Sequence, residues 1–339
     1  MNALMDHPFP KSTAVSEKLK RLQVAVTAGD ILAILIDADP DAMASALALR
    51  RLLWRKVKKV LIYRINRIKR TDNLAFVGLL DVDQKHIREI KRSKITKWAV
   101  LDAQPNHREK FAGYEFDIII DHHPVLPTTK GRFVDIRENY GATSTIMTEY
   151  LRGAKIKPST RLATALFYGI KTDTHNFVKE CIPNDISAFR YLYQFTNMNI
   201  IRKIESSEIT RKTLSKIRIA TDRLTFLDGI AFVHMDKVDN PDILVILADF
   251  FMKLAEARWS IVSGVYGKDL VIILRNASLQ GDAGKTAQKL FGGWGSSAGG
   301  HMGAARAEIP LAKITSKVRG GADLSHFVRT QLKVLKEMA

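Results

Sequence analysis

The 339-residue chain has a single cysteine, Cys181. That excludes an intramolecular disulfide framework and any zinc site built from several thiolates, and it fits a reducing compartment. Long apolar runs are missing too. The strongest, ILAILI at 31–36, stops at Asp37, far short of the ~18 residues that a membrane-spanning helix needs. The opening MNALMDHPFPKST holds no apolar run of signal-peptide length, so a cytoplasmic protein with no membrane association is expected. Acids are scarce: 35 Asp and Glu against 53 Lys and Arg leave a net charge of +18. A field of that sign attracts polyanions, nucleic acids and nucleotides first among them. Between Arg50 and Arg70 there are many basic residues and no acid. That run fits a solvated helix face leading into a strand, and equally a contact to a nucleic-acid backbone. What is present is ordinary for a folded chain. Apolar residues make up 46% and charged residues 26%, which excludes wholesale disorder. At about 150 residues per domain, the length implies two domains.

Helical spacing over residues 12–28 predicts a first helix that buries Leu19, Leu22, Val24 and Val26. Four short apolar runs follow with the length and β-branched content of buried strands: ILAILI (31–36), VLIYR (60–64), WAVLDA (98–103) and FDIII (116–120). Helical segments at 41–54 and 144–151 lie among them, and strand alternating with helix implies a doubly wound, mostly parallel α/β sheet. A polar helical stretch at 196–225 reads as a connector between a domain at 1–195 and a smaller α/β domain at 226–339. In the latter, a long helix over 242–259, strands in WSIVSGVY and DLVIILR, and a glycine-rich loop near 292–303 are expected.

Three of the apolar strands run into acids. ILAILI leads to Asp37, Asp39 and Asp41, WAVL to Asp102, and FDIII to Asp121, His122 and His123; a fourth acid, Asp173, follows ATALFYGI. The carboxyl ends of parallel strands form the ligand crevice of an open sheet, so these side chains would converge. Singly, each has a plainer role: Asp37 or Asp39 fits a helix N-cap, Asp102 a turn, and the histidine pair a surface feature. Together, carboxylates crowded in one crevice repel one another unless a cation joins them. Aspartate oxygens mixed with imidazole suit Mn2+, ahead of Mg2+, Fe2+ or Co2+.

A second group lies in the C-terminal part. FGGWGSSAGGHMGAARAE (291–308) places five glycines before His301, followed by small residues that read as the opening of a helix. Such a loop lets backbone N–H groups approach an anion, and a helix start adds positive potential; a flexible surface loop is the plainer alternative. Arg275, at the end of LVIILR, either solvates a strand end or joins His301 in clamping a phosphate.

The motifs DADPDAMASA (37–46), LDA (101–103), DHH (121–123), GIKTDT (169–174) and GGHMGAAR (299–306) together resemble those of the DHH phosphoesterases with a DHHA1 C-terminal domain. The nanoRNase and pAp-phosphatase branch, related to the RecJ exonucleases, is the most similar in length. The resemblance spans roughly residues 28–310 and implies an active site in the cleft between the two domains. It implies that Asp39, Asp41, Asp102, His122 and Asp173 hold two ions, Mn2+ or Mg2+, with Asp102 bridging. Asp121 and His123 would orient the site, Asp102, His122 and His123 taking part in catalysis. Arg275, Gly299, Gly300 and His301 would contact substrate phosphate. Two departures stand out. Leu35 occupies the position of a metal-binding histidine, with Asp37 two residues on as a substitute on the same side of an extended chain. Arg306 stands where glycine usually follows the two alanines.

The implied activity is two-metal hydrolysis of phosphoester bonds in short RNA or DNA oligonucleotides or in phosphorylated nucleotides such as pAp, releasing 5′-mononucleotides. Cyclic-dinucleotide hydrolysis uses the same chemistry. From a different class comes a non-catalytic nucleotide or nucleic-acid binder whose metal site lost a corner at Leu35. Oligomeric state is left open, a homodimer included.

Overall fold

The computed structural model describes residues 13–178, 181–207, 209–278, 281–315 and 324–336. The chain divides into two compact units, residues 1–208 and 209–339. Each is built around its own six-stranded sheet.

The first unit runs α1 (Val15–Val24), β1 (Ile31–Ile36), α2 (Pro40–Leu52), β2 (Lys59–Arg64), α3 (Thr71–Leu79), β3 (Lys85–His86), β4 (Lys97–Leu101), β5 (Ile118–Asp121) and β6 (Phe133–Ile136). Four helices complete it: α4 (Thr143–Gly153), α5 (Thr160–Asp173), α6 (Pro183–Tyr193) and α7 (Met198–Glu205). All strands are parallel, in the order β3-β2-β1-β4-β5-β6. The chain leaves β1 toward one edge and returns on the other side at β4, which opens a crevice at their carboxyl ends.

Both faces of this sheet are covered, and differently. Ile34 and Ile36 pack with Met43, Phe76, Ile146 and Leu166 in a core to which all seven helices contribute. Ala33 and Leu35 point the other way, as strand alternation demands, into a layer with Tyr63, Val100 and Phe111. Short 3-10 turns at 87–89 and 109–111 lend Ile87 and Phe111 to that second layer.

β6 is an addition to the strands expected. Its four residues, FVDI, carry Asp135 in the core at 1% exposure, where the carboxylate meets Lys18 Nζ at 2.6 Å, Arg137 Nη2 at 2.8 Å and the Tyr150 hydroxyl. Val24 is also a correction: it is 77% exposed at the end of α1, while Leu19 and Leu22 are buried.

The second unit contains α8 (Arg211–Asp222), β7 (Thr225–Leu227), β8 (Ile230–Lys237), α9 (Asp242–Phe251), β9 (Trp259–Tyr266), β10 (Asp269–Asn276), α10 (Ala283–Phe291), β11 (Ser297–His301), β12 (Ala304–Pro310), α11 (Leu311–Thr315) and α12 (Leu324–Lys336). Its sheet, ordered β11-β12-β10-β9-β8-β7, is antiparallel except where β8 lies parallel to β9. The stretch expected as a connector divides between the units. α7 buries Ile201 and Ile204 in the first core, and α8 buries Ile217 and Ala220 in the second unit.

Two expectations are corrected here. α9 ends at Phe251 instead of reaching 259, because Trp259 opens a strand paired with both β8 and β10. The small residues after His301 form β12 and not a helix; they pair with β10 across seven positions. Among the described residues no helix is long and apolar enough to cross a membrane.

Candidate metal centre

The acids after β1 are fixed by local capping. Asp39 is the N-cap of α2 and accepts from Ala42 N at 2.9 Å, with Pro40 opening the helix. Asn66, just after the neighbouring strand β2, brackets Ala38, accepting from its N–H at 2.8 Å and donating to its carbonyl at 3.0 Å. Asp41, the second residue of α2, is 1% exposed. Each of its carboxylate oxygens receives a backbone N–H from the first turn of α4: Thr143 N at 2.7 Å and Ser144 N at 2.8 Å. The Thr143 hydroxyl donates to Asp102 Oδ1 at 2.8 Å, so one residue ties the acid of α2 to the acid after β4. Asp102 follows β4 in a left-handed conformation, φ 59°, a strained placement for a residue with a Cβ.

Asp121 closes β5 fully buried. It accepts from His122 N at 2.8 Å and from Gln104 Nε2 at 2.8 Å, and it lies 2.8 Å from His123 Nδ1. His122 Nδ1 is 2.9 Å from the carbonyl of Tyr140. A carbonyl only accepts, so Nδ1 carries a hydrogen, and the lone pair that the ring offers a cation on losing its other proton is at Nε2. That atom sits 2.9 Å from Asp173 Oδ2 and 3.5 Å from Asp102 Oδ1, yet it is buried without an aligned hydrogen-bond partner. Ligand atoms of Asp41, His122 and Asp173 lie within 4.8 Å of one another, and so do those of Asp102, His122 and His123.

The electrostatics of these acids favour a cation among them. Burial, with Asp173 and Asp41 nearby, pushes Asp39 up to about 8. Burial and the Asp173 charge raise Asp41, and burial with Asp41 and Asp39 raises Asp102 well above the carboxylate range. Burial alone would lower His122, but Asp173 and Asp41 outweigh it and push the ring up to about 10. Asp121 behaves in the opposite way. Its burial is overcome by the hydrogen bonds from His123 and Gln104, which hold it down at about 2. Converging buried carboxylates and one imidazole form a donor set that fits a divalent metal ion.

The remaining expected residues fall differently. Asp37 joins neither group of ligand atoms; its carboxylate accepts from Arg108 Nε at 2.7 Å. Leu35 is fully buried in the apolar layer. Arg275 donates to Asp249 Oδ1 at 2.6 Å, so it already has an anionic partner. Gly299, Gly300 and His301 lie in β11, paired with Arg306, Ala305 and Ala304; the His301 side chain lies outside the described residues. Close packing accounts for the glycines here. A Cβ on Gly300 would meet the Ala304 carbonyl and come within 2.5 Å of Ala305 Cα, and one on Gly284 in α10 would lie 2.5 Å from Gly300 O.

Sequence reading missed Thr143, Ser144, Gln104, Tyr140 and Gly169. Gly169 packs α5 against α2 so closely that a Cβ would lie 2.6 Å from Ser144 Oγ and 3.1 Å from Asp41 Cα. Gln104 sits two residues after Asp102, near enough to that motif to have been suspected. Thr143 and Ser144 act on Asp41 through backbone N–H groups, which no residue type announces.

A sequence model of the DHH family, N-terminal domain, matches residues 32–170. The uncharacterized protein MJ1633 of Methanocaldococcus jannaschii is 34% identical over 296 residues, which are 87% of this chain and 60% of that protein. The chain therefore spans less than two thirds of this relative. Among solved structures, an exopolyphosphatase-related protein from Bacteroides fragilis superposes with TM-score 0.75 at 16% identity, covering 97% of this chain and 99% of that one. Exonuclease RecJ bound to manganese superposes with TM-score 0.51 at 12% identity, covering 90% and 92%. At such identities these likenesses concern the fold. The matched segment, about two fifths of the chain, holds Asp39, Asp41, Asp102 and His122 and is similar to the N-terminal domain of the DHH family.

Proposed function

We propose that this protein is a metal-dependent phosphoesterase that hydrolyses short oligonucleotides or phosphorylated nucleotides and releases 5′-mononucleotides. The observation that carries this reading is the His122 ring, whose Nε2 lies among Asp41, Asp102 and Asp173 with its other nitrogen tied to a carbonyl. Asp41, Asp102, His122 and Asp173, with Asp39 beside them, would hold two Mn2+ or Mg2+ ions. Such ions supply Lewis acidity toward phosphoryl oxygen and a water of lowered pKa.

The chain's own residues do the rest. Asp41 is locked by the α4 amides and Asp102 by Thr143, so both carboxylates keep their directions as substrate enters. His123, held through Nδ1 by Asp121, is the proton donor or hydrogen-bond donor to the leaving oxygen. In the second unit, Arg275 and the Gly299–Gly300–His301 strand hold a substrate phosphate, with Asp249 yielding Arg275 to it.

A second reading, nucleotide binding without turnover, is favoured by Leu35 alone. Metal stoichiometry measured beside hydrolysis of 5′-labelled two- to five-residue RNAs, pAp and cyclic dinucleotides decides between them. Two Mn2+ per chain and mononucleotide release that Asp102→Ala abolishes are expected. Binding without cleavage of any of these would establish the second reading, and turnover unchanged in Asp102→Ala would overturn the assigned site.

A further inference from the structure

The fold splits the acid-free basic run. Arg64, Arg67, Lys69 and Arg70 lie at or beyond the carboxyl end of β2, on the side where the acids gather. The other cations surround the turn that joins α2 to β2. The register of Lys59 with Ile31, the first residue of β1, puts this turn at the opposite end of the sheet. The 13 residues of α2, at a rise of ~1.5 Å each, separate it from Asp39 by about 20 Å.

Trp54 stands at the centre of the turn, 59% exposed. The guanidinium of Arg55 lies 4.6 Å from the ring centroid and that of Arg51 5.1 Å. Arg55 holds φ 63°, a left-handed conformation that glycine would take without the strain of a Cβ. The turn is nevertheless firm: Lys58 N and Lys59 N both donate to the Asp30 carbonyl, at 2.9 and 3.3 Å, and Lys56 N donates to Leu53 O at 2.9 Å. The Asp30 carboxylate beneath it is taken up by Thr27 and Thr96. Among the described residues, Arg51, Arg55, Lys56, Lys58 and Lys59 have no carboxylate within ion-pair distance.

We propose that the α2–β2 turn is a docking surface for single-stranded nucleic acid, remote from the metal centre. Trp54 is a stacking platform for one base, and the cations around it neutralise the phosphate backbone. The proposal rests on the phosphoesterase reading only for the idea that oligonucleotides are the substrate class. Charge complementarity selects a polyanion. The lone ring, held among guanidinium groups with no other large apolar side chain exposed in the turn, favours bases over a bilayer, which an apolar face would enter. A base replaces one guanidinium on the ring, and the released arginine turns to the adjoining phosphate. Spanning ~20 Å takes about six stacked residues at ~3.4 Å each. Dinucleotides therefore reach the metal centre without touching Trp54, whereas strands of a dozen residues engage both.

The test is equilibrium binding of a fluorescein-labelled 12-residue single-stranded RNA to the full chain, with divalent ions chelated so that no cleavage occurs. Trp54→Ala is expected to weaken it by about 5- to 150-fold, the range found when a stacking aromatic is removed. Trp54→Phe should keep most of the affinity. Arg55→Ala should reduce the salt dependence by about one ion. Hydrolysis of dinucleotides should be the same in all three variants. Equal 12-mer affinity in folded Trp54→Ala, or a Trp54-dependent affinity for phosphatidylserine vesicles with none for RNA, would overturn the proposal. Because the binding is read without metal, failure of the hydrolysis reading leaves this result standing, and the reverse also holds.

Discussion

Gly169→Ala isolates the packing that aims Asp41. The new methyl would meet Ser144 Oγ at 2.6 Å, Asp41 Cα at 3.1 Å and Asp41 Oδ1 at 3.2 Å. Ser144 Oγ has no hydrogen-bond partner, so it can rotate away at little cost. The backbone of Asp41 has no such freedom, and α2 must shift by a few tenths of an ångström. Overpacking of this kind costs about 1–3 kcal/mol, and the helical gain of alanine over glycine offsets about 1 kcal/mol. The net loss is about 0–2 kcal/mol, a drop in melting temperature of roughly 0–8 °C for a unit of this size. Metal binding should suffer more. The shift moves Asp41 against the α4 amides that orient it, and disturbing such supports lowers metal affinity about 10- to 100-fold. Calorimetric titration with Mn2+ beside thermal melts reads both quantities. Gly78→Ala, where a Cβ meets nothing within 4 Å, is the control and should be neutral or slightly stabilising. Wild-type Mn2+ affinity in Gly169→Ala would refute the claim that this close approach aims Asp41.

The other predictions concern charge and burial. With metal removed, Asp39 titrates at about 8 in the folded chain against 3.8 for an ordinary Asp, so the folded state binds the extra proton between these values. Its contribution to stability therefore falls as pH rises through that window, and Mn2+ should raise the melting temperature more at pH 8 than at pH 5; equal increments would count against it. Asp135→Ala leaves the Lys18 ammonium buried without its carboxylate, and urea unfolding should show a loss of about 3–5 kcal/mol. Leu35→His sets a polar ring among Ala33, Val100 and Phe111; a loss of about 1–3 kcal/mol is expected. Extra bound Mn2+ without that loss would show that position 35 still belongs to the metal site.

Local signals were readable where chemistry and neighbours agreed. ILAILI is apolar on both faces because β1 is central in a parallel sheet, and its bounds match the strand. Asp39 announces a cap, Pro40 a helix start, and the structure has both. β6 escaped because four residues containing an acid look like a loop; only the Lys18, Arg137 and Tyr150 partners make Asp135 admissible inside. The helix end at Phe251 and the strand after His301 escaped for a shared reason. KLAEAR and AARAE are good helix formers, but AARAE pairs along β10, and KLAEAR turns to bring Trp259 into its strand.

The sequence by itself determined the strand runs and the acids at their ends, and so put Asp39, Asp41, Asp102 and His122 on one side of the sheet, where parallel strands must end; Asp173, the last residue of α5, joins them only through the packing of that helix. Only the tertiary structure decided how those side chains are held. Backbone N–H groups of α4 fix Asp41, a carbonyl sets the protonated nitrogen of His122, Arg108 occupies Asp37 and Asp249 occupies Arg275. Those partners come from segments remote in the chain, and much of what they offer is backbone, which is the same at every residue.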